Sequence, residues 1–220
     1  MDWQPSTPLT SEELNCIPVF PLPRVVFFPG TALPLHLFEP RYRAMAQDCI
    51  EKGPMAMAVT LLSPGWEEDY DGAPAFHEIA GAGRIVAHKQ REDGTYDIVL
   101  HGLKRVRLQE LPNDGLPYRR AQAVPVDDAG EAGAGDVVAM MACATNVAAR
   151  VRARQPDFRL HLSGELPPGR TADVVADQLI VNPADRQRVL QTLDVRKRIS
   201  LVTEAIAGLL VQLSELDTPS

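Results

Sequence analysis

The sequence lacks most of the features that would announce a chemistry directly. Its 220 residues include three cysteines, Cys16, Cys49 and Cys143. They are far apart and form no C-x-x-C pair, which argues against a disulfide framework and fits a reducing compartment. No apolar run approaches the ~20 residues that a membrane-spanning helix needs. The N-terminal "MDWQPSTPLTSEE" has neither the basic start nor the apolar stretch of a secretory signal. The expectation is a soluble, cytoplasmic protein with no membrane partner. Positive charge is in deficit as well: 22 Lys and Arg face 29 Asp and Glu, for a net charge of −7. Such a chain has no electrostatic footprint for nucleic acid. Its local basic runs, "LKRVRL", "RVRAR" and "VRKR", read as the solvent faces of a strand and two helices.

Catalytic signatures are missing in the same way. There is no G-x-x-x-x-G-K-[ST] and no G-x-S-x-G. "GAGRI" at Gly81–Ile85 lacks the third glycine of a dinucleotide loop and runs into strand-like sequence, so it reads as a bend or bulge. The five histidines form no H-x-x-x-H or H-E-x-x-H pair. Cys49 falls on the apolar face of a helical pattern, where a thiol acts as a small hydrophobe. The carboxylates Glu67, Glu68, Asp69 and Asp71 form an acidic run of the kind found in solvated loops. No cofactor, metal or catalytic residue is expected.

What the chain does have is proline. "IPVFPLPRVVFFPGTALPLHLFEPRYRAM", Ile17 to Met45, holds six prolines among strand formers. Proline cannot donate to a sheet ladder and is confined to strand starts, edges and bulges. "IPVF", "RVVFF" and "LPLHLF" therefore read as short strands joined by bends, as in a small coiled barrel. From Pro40 the period changes. Tyr42, Met45, Ala46, Cys49 and Ile50 share one helical face, Pro40 suits the first helical position and Gly53 the position past the end. "MAMAVTLL" reads as a buried strand. Two further strand runs meet at "REDG", a hairpin signal, and "YRRAQAVPV" is one more. "DDAGEAGAGD" then marks a change of composition, and four helical patterns follow. Thr171 is read as the N-cap of the second and Asn182 as that of the third. Strands followed by helices indicate an α+β fold. It comprises a flexible arm at 1–14, a β-rich, coiled barrel-like domain with an inserted helix at 15–126, a linker at 127–135 and a helical bundle at 136–220.

With no catalytic constellation, binding remains. Trp66 and Tyr70 lie in the acidic loop, away from where core aromatics belong. Phe27 and Phe28 are adjacent, so in a strand one points inwards and the other outwards. An outward ring beside a proline-broken edge can receive an extended peptide. Phe28, His36, Trp66 and Tyr70 are the candidate peptide-binding residues.

The opening stretch resembles the N-terminal, substrate-binding domain of the Lon protease family, which implies a PUA-like coiled β-structure followed by a helical bundle. The motif residues are Pro18, Pro21, Leu22, Phe28, Pro29, Gly30, Pro34, Leu35, Phe38, Glu39, Arg41 and Tyr42. The likeness continues through "GAGRIV", the "DGTYDIVLHGLKRVRL" hairpin and "DRQRVLQTLDVRKRISLV", roughly Asn15 to Leu213. A complete Lon protease adds an ATPase module and a Ser–Lys peptidase domain, and this sequence shows the motifs of neither. The resemblance thus implies recognition without proteolysis: a non-catalytic protein- or peptide-binding module, acting in protein quality control as an adaptor to a protease or chaperone. Its partners would be polypeptide substrates or that protease or chaperone, with a homo-oligomer also open. Two other readings stay open: a protease-related protein whose ATP-dependent proteolysis a partner supplies, and an RNA-binding PUA-like protein, which the net charge opposes.

Overall fold

The prolines explain the sheet. In the computed structural model, which describes residues 7–70, 72–162 and 166–215, six strands form one sheet. They are β1 (Ile17–Leu22), β2 (Ala32–Leu37), β3 (Ala56–Leu61), β4 (Ile79–Gln90), β5 (Tyr96–Glu110) and β6 (Arg119–Pro125). Their order is β2-β5-β4-β3-β1-β6, and β6 also pairs with β5, so β5, β4, β3, β1 and β6 close into a ring. The ring is not a regular barrel. Strand β5 gives its first half to β2 and its last residues to β6, and β1 runs parallel to β3 but antiparallel to β6.

Each strand proline sits where its strand has a registered neighbour on one side alone. Pro18 lies in the part of β1 paired with β6, and Pro21 in the part paired with β3. Pro34 lies on β2, which pairs only with β5, and Pro125 ends β6 where only β5 remains. A ring nitrogen without a hydrogen can face the open side at no cost to the ladder.

"RVVFF" departs from the expectation. Residues 24–28 form no strand. The segment runs against β4 and β5 so closely that a Cβ on Gly81 would lie 2.0 Å from the Phe27 carbonyl oxygen, and one on Gly102 would lie 2.2 Å from that of Phe28. Val26, Phe27 and Phe28 are all buried, at 1%, 1% and 0% exposure. The in-and-out alternation assumed for the two phenylalanines applies only to strands. Here both rings are buried. "GAGRI" is a bulged stretch of β4, with a register shift between Ala82 and Gly83. The hairpin at "REDG" is present, with Gly94 at φ +77° in its turn.

The inserted helix α2 (Pro40–Glu51) begins at proline and is followed by Gly53 at φ +76°. It buries Tyr42, Met45, Ala46 and Cys49 against Phe20, Phe27, Val59 and Leu100. A second apolar cluster, built on Ile17, Val19, Ala80, Val106 and Ala121, is covered by Leu9, Leu14 and Phe76. Residues 7–14, read from sequence as part of a loose arm, therefore contribute to the core through Leu9 and Leu14. Thr10 and Glu13 form a capping box at the start of the short helix α1 (Ser11–Asn15). The Arg84 guanidinium donates to the carbonyls of Thr7 and Pro8 and to both oxygens of Glu13, at 2.8–3.0 Å.

The chain divides after Val126. The second unit is a bundle of α3 (Ala134–Arg154), α4 (Pro168–Leu179), α5 (Pro183–Gln191) and α6 (Val195–Glu215). Val195, Ile199, Val202 and Ile206 form the buried stripe of α6. Asn182 caps α5 by accepting from the Ala184 and Asp185 N–H groups. Helix α4 begins earlier than its pattern suggests. Pro168 opens it, and the Thr171 hydroxyl donates back to the Leu166 and Pro167 carbonyls instead of capping. Arg198, with a side chain wholly buried, ties the unit together. It donates to Asp128 at 2.5 Å, to the Thr192 carbonyl at 2.8 Å and to Asp173 at 3.5 Å.

Candidate binding cleft

The ring of strands is split at one seam. β6 accompanies β1 only over Ile17–Val19, while β1 continues along β3 to Leu22. Beyond that point the chain preceding β6, "LPNDGLPY", leaves the sheet in a turn-rich excursion. Gly115 at φ +91° and an Asn113 side chain accepting from the Gly115 N–H hold its bend. The gap is a cleft of about 180 Å³, lined by Pro21, Tyr42 and Leu62 on the sheet and helix side. Leu111, Leu116 and Tyr118 line it from the excursion, and Tyr70 and Pro74 from the acidic loop.

Helix α2 fixes the mouth. Its N-cap residue, Glu39, accepts from Arg41 Nε at 3.0 Å and from the Tyr70 hydroxyl at 2.8 Å. Arg41 also donates to the Tyr70 carbonyl and lies 4.8 Å and 5.1 Å from the Tyr42 and Tyr70 ring centres. Glu39 thus ties the start of helix α2 to the acidic loop, and Arg41 lines the cleft. At the other end the Tyr118 hydroxyl donates to Asp48 at 2.8 Å. Arg119 donates to both oxygens of Glu110 at 2.5 Å and to the Pro74 carbonyl at 2.6 Å, with its guanidinium over the Phe76 ring.

Burial pushes the Tyr42 hydroxyl up to about 12. Burial and then the bond to Glu39 raise Tyr70, and burial and then the bond to Asp48 raise Tyr118. All three are neutral donors across the physiological range. Among the described residues the lining contains no Ser, Thr, Cys, His or Lys. The carboxylates of the described lining, Glu110 and Asp114, are held by arginines. The Cys49 thiol, driven up to about 12 by burial, donates to the Ala56 carbonyl inside the core. Among the described residues no group of three or more His, Cys, Asp or Glu side chains is placed to hold a metal ion. No helix among them is long and apolar enough to cross a membrane.

The structure separates the four candidate residues. Tyr70 lines the cleft, and the Trp66 ring packs edge-on against it at 5.5 Å. His36 lies on β2, bonded to Asp97 at 2.8 Å and facing Phe38, which is 62% exposed. It borders a shallow groove that shares no lining residue with the cleft. Phe28 is in the interior. Sequence reasoning missed Arg41, Tyr42, Tyr118 and Arg119. The one available signal was the Pro112-Asn113-Asp114-Gly115 and Pro117 cluster, which marks a long excursion between two strands.

The sequence matches the family of the ATP-dependent protease La (LON) substrate-binding domain over residues 16–208. The chain belongs to that family. Its relatives include a Lon protease 2 of Myxococcus xanthus, 28% identical over 86% of this chain and 23% of that protein. A Lon protease of Anaeromyxobacter dehalogenans is 28% identical over 92% of this chain and 24% of that protein. The chain therefore spans about a quarter of the length of these relatives. Two solved structures share the fold. A Lon N-terminal domain protein from Xanthomonas campestris matches with TM-score 0.61 and 21% identity, over 86% of this chain and 97% of that one. The N-terminal domain of a Mycobacterium avium complex Lon protease matches with TM-score 0.62 and 16% identity, over 87% and 98%. The Lon substrate-binding architecture of strands and helices is thus the architecture of this chain.

Proposed function

We propose that this Lon-type domain is a non-catalytic module that binds unfolded or extended polypeptide, and that the split seam is where it binds. The observation that carries the proposal is the cleft itself. It is a gap beside a strand, faced by Tyr42, Tyr70 and Tyr118, with no Ser, Thr, Cys, His or Lys among its described lining residues. Aromatic walls suit a ligand that presents apolar side chains without fixed sequence, and the Tyr70 and Tyr118 oxygens, whose hydrogens go to Glu39 and Asp48, remain acceptors for its backbone N–H groups. Family membership supports the same reading at the level of substrate recognition. Trp66 and Tyr70 carry the site. His36 belongs to a separate groove, and Phe28 acts only by supporting the fold. The cellular role we assign is that of an adaptor in cytoplasmic protein quality control, handing its polypeptide to a protease or chaperone partner.

The test is fluorescence anisotropy of a labelled, reduced and alkylated model protein. Binding is expected near 10 µM, about −7 kcal/mol. Tyr70→Ala should weaken it by about fivefold or more, the loss of one aromatic contact. No binding at several hundred micromolar in the wild type would overturn the proposal, and so would ATP-independent cleavage of casein by the purified chain.

A further inference from the structure

We infer that the cleft selects extended segments carrying positive charge beside their apolar anchor; this rests on the polypeptide-binding reading above. Every arginine in the lining is already matched. Arg41 is paired with Glu39, Arg119 with Glu110 and Arg120 with Asp114. The interior of the cleft is therefore locally neutral and offers an incoming anion no unspent cation. Its mouth is different. The 3-10 turn Trp66–Asp69 immediately precedes Tyr70 and carries three carboxylates in a row, Glu67, Glu68 and Asp69. Asp69 accepts from the Ala73 N–H. Glu67 and Glu68 are exposed, and among the described residues neither has an ion-pair partner. These two charges stand on the turn that leads directly into Tyr70, whose ring touches Trp66 and lines the charge-balanced cleft. The net charge of −7 adds a long-range field of the same sign.

A segment that seats an apolar side chain among Tyr70, Leu111 and Leu116 places its neighbouring residues at this rim. Lysine or arginine there meets Glu67 and Glu68, with the Trp66 face close by for a cation. Aspartate or glutamate there meets like charge. The charges are exposed, so each is worth a factor of about two to five at low salt and less when screened. The cleft thus ranks substrates by what flanks the anchor, without reading a defined sequence.

The experiment uses three labelled peptides with one apolar core and with Lys/Arg, Ser/Gln or Asp/Glu flanks. Anisotropy is measured at low and at moderate salt, with wild type, Glu67→Gln/Glu68→Gln and Tyr70→Ala. The cationic peptide should bind about five- to tenfold more tightly than the neutral one at low salt, and the anionic one least. Moderate salt should shrink the spread to about twofold. The double glutamine variant should lose most of the cationic preference while holding the neutral peptide unchanged, and Tyr70→Ala should weaken all three. Equal affinity for the three peptides in wild type, or a preference that survives in the double variant, would overturn the inference and leave polypeptide binding standing. If no peptide of any charge binds, the binding proposal itself falls.

Discussion

Replacing Gly81 with alanine probes how tightly the chain between β1 and β2 lies on the sheet. The added Cβ would stand 2.0 Å from the Phe27 carbonyl oxygen, 1.0 Å inside the 3.0 Å that such contacts respect. The obstacle is backbone and has no rotamer to swing away. Nor can β4 retreat, because Gly81 is registered with Val59 on one side and Arg105 on the other. The crossing segment must lift instead, and it carries Val26, Phe27 and Phe28, all essentially buried. Overpacking of this kind usually costs about 1–3 kcal/mol, and an immovable partner places it at the upper end, about 3 kcal/mol. Trp66 belongs to the N-terminal unit and the sequence of the helical unit has no tryptophan, so tryptophan fluorescence in urea follows the N-terminal unit. With a denaturant slope of about 2 kcal/mol per molar, the midpoint should fall by about 1.5 M. A midpoint within about 0.3 M of wild type would refute the close approach of Phe27 to β4.

Gly208 supplies the opposite case. It lies inside α6, and a Cβ there would meet nothing within 4 Å. Gly208→Ala should stabilise the helical unit by about 0.5–1 kcal/mol, read as a later loss of helical circular dichroism. Arg198→Leu should do the reverse. It takes the guanidinium from the buried Asp173 and from Asp128 and should cost about 3–5 kcal/mol in the same measurement. The amino-terminal segment should respond to acid. Burial alone would raise the Glu13 carboxyl, but the Arg84 hydrogen bonds and the Thr10 N–H outweigh it and hold it below its usual 4.5. Because the native carboxyl binds its proton less readily than the unfolded one, its contribution is present above about pH 4.5. It is lost as pH falls below 4.5 through the native value. Hydrogen exchange or proteolysis at residues 7–15 should rise in that window, and Arg84→Ala should show the same exposure already at pH 7.

The elements were largely legible because their signals are local. Pro40 and Gly53 bracket α2, Asn182 caps α5, and Asp93-Gly94 turns the hairpin, each through the conformational limits of a few residues. The prolines of β1 and β2 likewise declared an interrupted, one-sided sheet. Local reasoning failed where a residue's surroundings come from distant chain. Thr171 has the chemistry of a cap, yet Pro168 opens the helix first. Phe28 looked outward only while its segment was taken for a strand.

The sequence by itself determined the family, the order of strands and helices and the acidic balance, because periodicity, proline and charge are properties of neighbouring residues. The tertiary structure alone decided that β6 leaves β1 at Val19, that Arg41 turns into the gap so formed, and that Tyr70 arrives there 28 residues after Tyr42 while Tyr118 arrives 48 later still. The cleft is the space that remains where two strands of a closed ring part company. Its lining is set by which backbone edges find partners, and no short stretch of sequence holds that information.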